Sequence, residues 1–149
     1  MLSIVHGTTG ALIASKIPNP FISLPLIIAS HFLEDRIPHW DVSQGLTSRH
    51  KSKRAAFFQE LFFDFPLSVL LVYLFFQVGR PFDWRPWIGW FVGLLPDFIE
   101  FPYIFLNRRG YLLKQFARFH SWSHQSTPNK FWGLLPQALV LLTILLLSP

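Results

Sequence analysis

Two stretches of this chain constrain its fold most: Phe65–Val78 and Phe131–Pro149, fourteen and nineteen residues with no charged side chain. Neither alternates between polar and apolar positions, so neither reads as a strand with one wet face. Apolar runs of this kind must be covered on all sides, by protein or by lipid. Three further apolar segments accompany them, and the pattern predicts five helices: Leu2–Ser15, Phe21–Leu33, Ala55–Val78, Trp87–Leu106 and Phe131–Leu147. The first two fall short of the roughly 20 residues that a full span needs, so they are expected to be tilted, partial or shielded by the others. "IPNP", Ile17–Pro20, breaks the chain between them. The opening residues lack the basic start of a signal peptide and are read as part of the fold.

Composition agrees. Half the residues are hydrophobic and only 14% are charged, against about 25% in a soluble domain. The expected fold is therefore an all-α, polytopic membrane bundle of about five helices, the first two short, in one domain spanning residues 1–149. Ten of the thirteen Lys and Arg residues lie in two connections, Arg36 to Arg54 and Arg108 to Lys130. By the positive-inside rule these face the cytoplasm. The basic residues flank apolar segments and form no continuous stripe, so no nucleic-acid partner is expected. Membrane lipid and a small amphiphilic substrate are the expected partners. "TSRHKSKR", Thr47–Arg54, including His50, reads as a solvated basic loop.

Against this apolar background, ionisable residues inside the helices are costly and mark functional candidates. In an antiparallel helix pair, residues equidistant from the turn lie at one depth. His6 and His31 are equidistant from the Pro18–Asn19 bond, and Asp64 and Asp97 from the Arg80–Pro81 bond. At 1.5 Å per residue the first pair lies about 19 Å from its turn and the second about 25 Å, both toward the cytoplasmic side. Four helices can thus direct ionisable groups at one point.

"SHFLEDRIPHWD", Ser30–Asp41, adds His31 and Asp35 on one helical face, with His39 beyond a helix end or kink at Pro38. Asp41 is either a cap for the following chain or a further ligand. Glu34 and Asp83 read as interfacial surface charges, and Glu60 as a supporting neighbour of Asp64. "GLLPDFIEFP" places Asp97 and Glu100 on one face, and "FHSWSHQST" places His120 and His124 at i, i+4 spacing. The chain has no cysteine, so a metal must use His and carboxylate ligands. The candidate ligands are His6, His31, Asp35, Asp64, Asp97, His120 and His124, with His39 or Glu100 as general base or as the group that orients a water. Zinc suits such a set best; iron and manganese are alternatives.

Together with "VHGTTGAL", these motifs resemble those of small bacterial membrane proteins described as metal-dependent hydrolases, a group distantly similar to zinc-dependent phospholipase C. The resemblance extends from His6 to His124. It implies ligand roles for His31 and Asp35, and hydrolysis of a phospholipid or another amphiphilic ester or phosphoester near the cytoplasmic interface. The His120–His124 gap is shorter than in that group. Two other functions compete: a non-catalytic membrane protein with a structural metal or polar packing cluster, and a membrane di-iron oxygenase. Six scattered histidines argue against the latter.

Overall fold

A computed structural model describes residues 1–42 and 52–149. Arg49, His50 and Lys51 of the basic loop lie outside these residues. Among the described residues the chain is all-helical, with six helices: α1 (Ser3–Lys16), α2 (Pro20–Asp35), α3 (Lys53–Phe76), α4 (Arg85–Ile104), α5 (Tyr111–Ser123) and α6 (Lys130–Leu147). The five expected segments are all present, with ends shifted by a few residues. The sixth helix, α5, lies in what the apolar pattern reads as a connection. Lys114, Arg118 and several polar side chains dilute its hydrophobicity, while Ala117, His120 and Ser123 are buried on one side.

Among the described residues, only α3 and α6, of 24 and 18 residues, are long and apolar enough to cross a membrane. That is two candidate spans rather than a bundle of five. α1 and α2 have 14 and 16 residues. α4 has the length, at 20 residues, but Asp97, Glu100 and Arg85 interrupt its apolar character.

α1 is the central element, in contact with α2, α3, α4 and α6, while α5 packs on α4 and α2. The shielding expected for the short first helix is thus supplied by its neighbours. A small apolar core of Ala11, Val72, Phe76 and Ile144 ties α1 to α3 and α6. Glycine sets the α1–α4 spacing: a Cβ on Gly10 would lie 2.2 Å from the Gly89 carbonyl oxygen, and one on Gly93 would lie 2.5 Å from that of His6. The two backbones touch, and this holds His6 level with Gly93.

α3 contains one π turn, Glu60–Asp64, immediately before Pro66. Proline lacks the N–H that would continue the regular ladder, and π turns of this kind re-aim side chains. Here Asp64 is buried while Leu61, Phe62 and Phe63 are exposed. At the foot of α4, Asn107 adopts a positive φ of 52°. Lys53 donates to the Ile104 carbonyl and, at 3.2 Å, to Asn107 Oδ1, placing a cation at the negative end of the helix.

α2 ends at Asp35, three residues before Pro38. His39 therefore sits in an extended segment rather than on a further helical turn. That segment pairs with the residues after α5. Gln125 N–H donates to the Asp35 carbonyl (2.8 Å), His39 N–H to Gln125 (3.1 Å) and Thr127 N–H to His39 (2.8 Å). One parallel bridge, His39 to Ser126, results, and it joins the two His-bearing segments.

Candidate metal centre

Four imidazoles in this fold share one arrangement. His6 Nδ1 donates to Glu34 Oε2 at 2.7 Å, and His31 Nδ1 to the Gly93 carbonyl at 2.8 Å. His39 Nδ1 donates to the Ile37 carbonyl at 2.7 Å, and His120 Nδ1 to Glu100 Oε2 at 2.7 Å. Each acceptor places a proton on Nδ1, so that the ring, when neutral, turns its Nε2 lone pair inward. This is how metal-ligating histidines are held: a carboxylate or carbonyl on one nitrogen fixes the tautomer and orients the other.

The inward nitrogens converge on Asp35, which is fully buried. Around Asp35 Oδ2 stand His120 Nε2 at 2.9 Å and His31 Nε2 at 3.6 Å. Those two nitrogens are 3.3 Å apart, and Asp97 Oδ1 lies 3.7 Å from each. On the other side, His39 Nε2 is 3.7 Å from Asp35 Oδ1 and 3.1 Å from His124 Nε2. Asp41 Oδ2 is 3.6 Å from the first of these nitrogens and 3.5 Å from the second. The His6 ring stacks on His31 at 3.9 Å, with Nε2 3.2 Å from Asp35 Oδ1. The Met1 amino group also meets Asp35 and lies 2.8 Å from His6 Nε2.

These distances can be tested against a metal. Zn–N and Zn–O bonds of about 2.0–2.2 Å in a tetrahedron separate neighbouring donor atoms by about 3.3–3.6 Å. The separations around Asp35 bracket that value on both sides. Two inward Nε2 lone pairs 3.1 or 3.3 Å apart also repel unless a cation or proton lies between them. The donor chemistry therefore fits a divalent metal, in two three-residue groups that share Asp35: His31, Asp35 and His120, with Asp97 beside the two imidazoles; and Asp35, His39 and His124, with Asp41 beside its two imidazoles. His6, His31 and Asp97 form a third potential set.

Electrostatics outside the long helices point the same way. Burial lowers His39 to about 4, with the Met1 amino group and His124 adding to the effect. Burial likewise lowers His124. Both rings are neutral at pH 7 and their nitrogens are open to a metal. Burial also opposes charge on His120, but the hydrogen bonds to Asp35 and Glu100 outweigh it and raise that ring to about 10. The carboxylates thus favour a cation at this point.

Six of the seven expected ligands meet here: His6, His31, Asp35, Asp97, His120 and His124. The depth argument places three of its four residues together, because His6, His31 and Asp97 offer ligand atoms within 4.8 Å of one another. Asp64 lies apart from the metal groups. Its oxygens accept from the Ser3 N–H at 2.7 Å and the Ile4 N–H at 3.1 Å, so it caps the first turn of α1, whose own N-cap, Leu2, has no side chain able to do so. Glu60 supports the same corner by accepting from Ser3 Oγ at 2.5 Å.

His39 stands among the donors, and Glu100 binds His120. Glu34 is not a surface charge: it is buried, accepting from His6 and, at 2.5 Å, from Thr9 Oγ1. The hairpin arithmetic that aligns His6 with His31 also sets Glu34 level with Ser3, one turn from His6, and that signal was legible. Asp83 pairs with Arg85 at 2.7 Å near the surface, as expected of an interfacial charge. Comparison of the chain with protein-family models, curated proteins and solved structures returned no match.

Proposed function

We propose that the protein is a membrane-embedded, metal-dependent hydrolase acting on a phospholipid or another amphiphilic ester or phosphoester near the cytoplasmic interface. The observation that carries this reading is the convergence of four Nδ1-anchored imidazoles on one buried carboxylate, Asp35. Exposed side chains support the membrane setting. Leu70, Tyr73 and Leu74 on α3, and Leu139, Leu142, Leu145 and Leu146 on α6, all face outward, and exposed apolar stretches of this kind mark membrane or protein interaction surfaces.

A divalent metal held by these residues, zinc first, would polarise an ester or phosphoester oxygen and lower the pKa of a bound water toward 7. The chain's own groups have separable tasks. Glu34 and Glu100 hold His6 and His120 in the inward orientation. Asp35 joins the two donor groups. Asp97, whose side chain is 38% exposed, and His124, 24% exposed, form the open side from which a substrate reaches the centre. Asp97 is also the carboxylate best placed to take a proton from an attacking water, since Glu100 is engaged by His120 and the inward Nε2 of His39 faces Asp35 and His124 as a donor.

A second reading, a structural metal site without turnover, draws on the near-complete burial of His31, Asp35 and His39, because structural sites are closed and catalytic ones keep an open position. Metal analysis of purified protein, paired with turnover on a panel of lipid esters and phosphoesters, separates the two. Stoichiometric metal with turnover that is lost in Asp97→Asn supports the hydrolase. Metal without turnover on any member favours the structural role, and absence of metal at saturating zinc refutes both.

A further inference from the structure

α5 presents three faces. At 100° per residue, Leu113, Phe116, Ala117, His120 and Ser123 fall on one side, and the last three of these are buried. The exposed remainder is divided. Tyr111, Leu112, Phe119 and Trp122 fall within one 100° sector, interrupted by Gln115 alone, and Lys114, Arg118 and Ser121 within the adjoining one. Leu112 is 80% exposed and Trp122 66%. A helix whose outer surface served only to meet water would not segregate its side chains in this way.

The apolar sector continues onto the end of α2. The Phe119 ring meets Phe32 edge-on at 5.0 Å, Leu33 and Ile37 are exposed nearby, and the Arg36 guanidinium lies 3.9 Å over Trp122. Charge singles out the surface that would cover this sector. From Phe101 to Pro149 the chain has no Asp or Glu, but it has Arg108, Arg109, Lys114, Arg118 and Lys130.

We propose that α5 is an interfacial helix: it lies along the bilayer surface with the Leu112–Phe119–Trp122 sector among the outer acyl carbons, while Lys114, Arg118 and Arg36 bind anionic phospholipid headgroups. Aromatic residues and leucine on one face, with Lys and Arg beside them, are what this setting selects. Basic side chains at such a surface are each attracted to anionic lipid. His120 and His124 ride on the inner side and C-terminal end of the same helix, so the metal centre sits just under the headgroups, at the depth of a lipid's ester and phosphoester bonds. The inference rests on the membrane reading but not on metal or turnover.

The test uses the full chain in vesicles of phosphatidylcholine with and without phosphatidylglycerol, and compares it with Trp122→Phe to isolate the emission of Trp122. That emission should be quenched most by lipids brominated near the glycerol end of the acyl chain, and little by aqueous iodide. Lys114→Gln/Arg118→Gln should keep the fold and lower the preference for phosphatidylglycerol roughly 30-fold. The proposal is overturned if iodide reaches Trp122 and bromolipid does not, if chain-end bromines quench it best, or if the double variant keeps its lipid preference. Protein that fails to float with vesicles refutes the membrane reading itself. Failure of the metal assay leaves the quenching result unaffected.

Discussion

Replacing Asp35 by Asn tests the centre most directly, because the change preserves shape while removing a charge shared by two groups of donors. Its oxygens lie 2.9–3.7 Å from the Nε2 atoms of His6, His31, His39 and His120. Zinc in four-donor protein sites is bound by about 10–16 kcal/mol, so weakening one donor in four costs roughly 3 kcal/mol per metal. At about 1.4 kcal/mol per decade, each affinity falls about a hundredfold. Both groups lose the same donor, so both steps of a zinc titration against a competing chelator should weaken together. His124→Asn removes a donor from only one group and should weaken only one step. The refuting results are concrete: an Asp35→Asn protein that retains one site at wild-type affinity, or a His124→Asn protein in which both sites fall equally. Either means that Asp35 does not join two groups, however close the atoms stand.

Three further outcomes follow from the geometry. Glu100→Gln keeps the volume and the acceptor oxygen that receives His120 Nδ1 but loses its charge; metal affinity should drop about 10- to 100-fold without abolishing binding, as read by the same titration. Asp64→Ala removes the cap on α1 and should cost about 1 kcal/mol in thermal or denaturant unfolding with metal stoichiometry unchanged, a split that a ligand could not show. Gly10→Val drives a side chain into the Gly89 carbonyl and should destabilise the protein by about 1–3 kcal/mol or more, whereas Gly110→Ala, with nothing within 4 Å, should lose only the preference for glycine at the N-cap of α5, no more than about 1 kcal/mol in the same melts.

The contrast between Asp64 and Glu34 explains what the sequence can reveal about a site of this kind. Depth along a helix is legible, because a turn fixes the register of the two arms and each residue adds a constant rise. His6 and His31 were placed by that arithmetic, and their rings stack. Rotation about the helix axis is not legible where a π turn intervenes. Glu60–Asp64 adds a residue to one turn, and Asp64 is aimed at the start of α1 rather than at Asp97. The two supporting carboxylates, Glu34 and Glu100, sit three residues from a ligand, His31 and Asp97 respectively. Each serves a histidine on another helix, so the pairing exists only after α1 meets α2 and α5 meets α4.

α5 is not legible as an apolar segment for a related reason. Its outer surface is shared between an apolar sector and a basic one, and averaging over the helix hides both. The same division supplies the strongest argument for where the helix lies. A buried helix has no use for Lys114 and Arg118, and a helix in water has no use for exposed Leu112 and Trp122. The proposed boundary between acyl chains and headgroups would satisfy all four side chains at once, and there the inward turn of His120 would bring its donors within reach of a lipid's polar linkage.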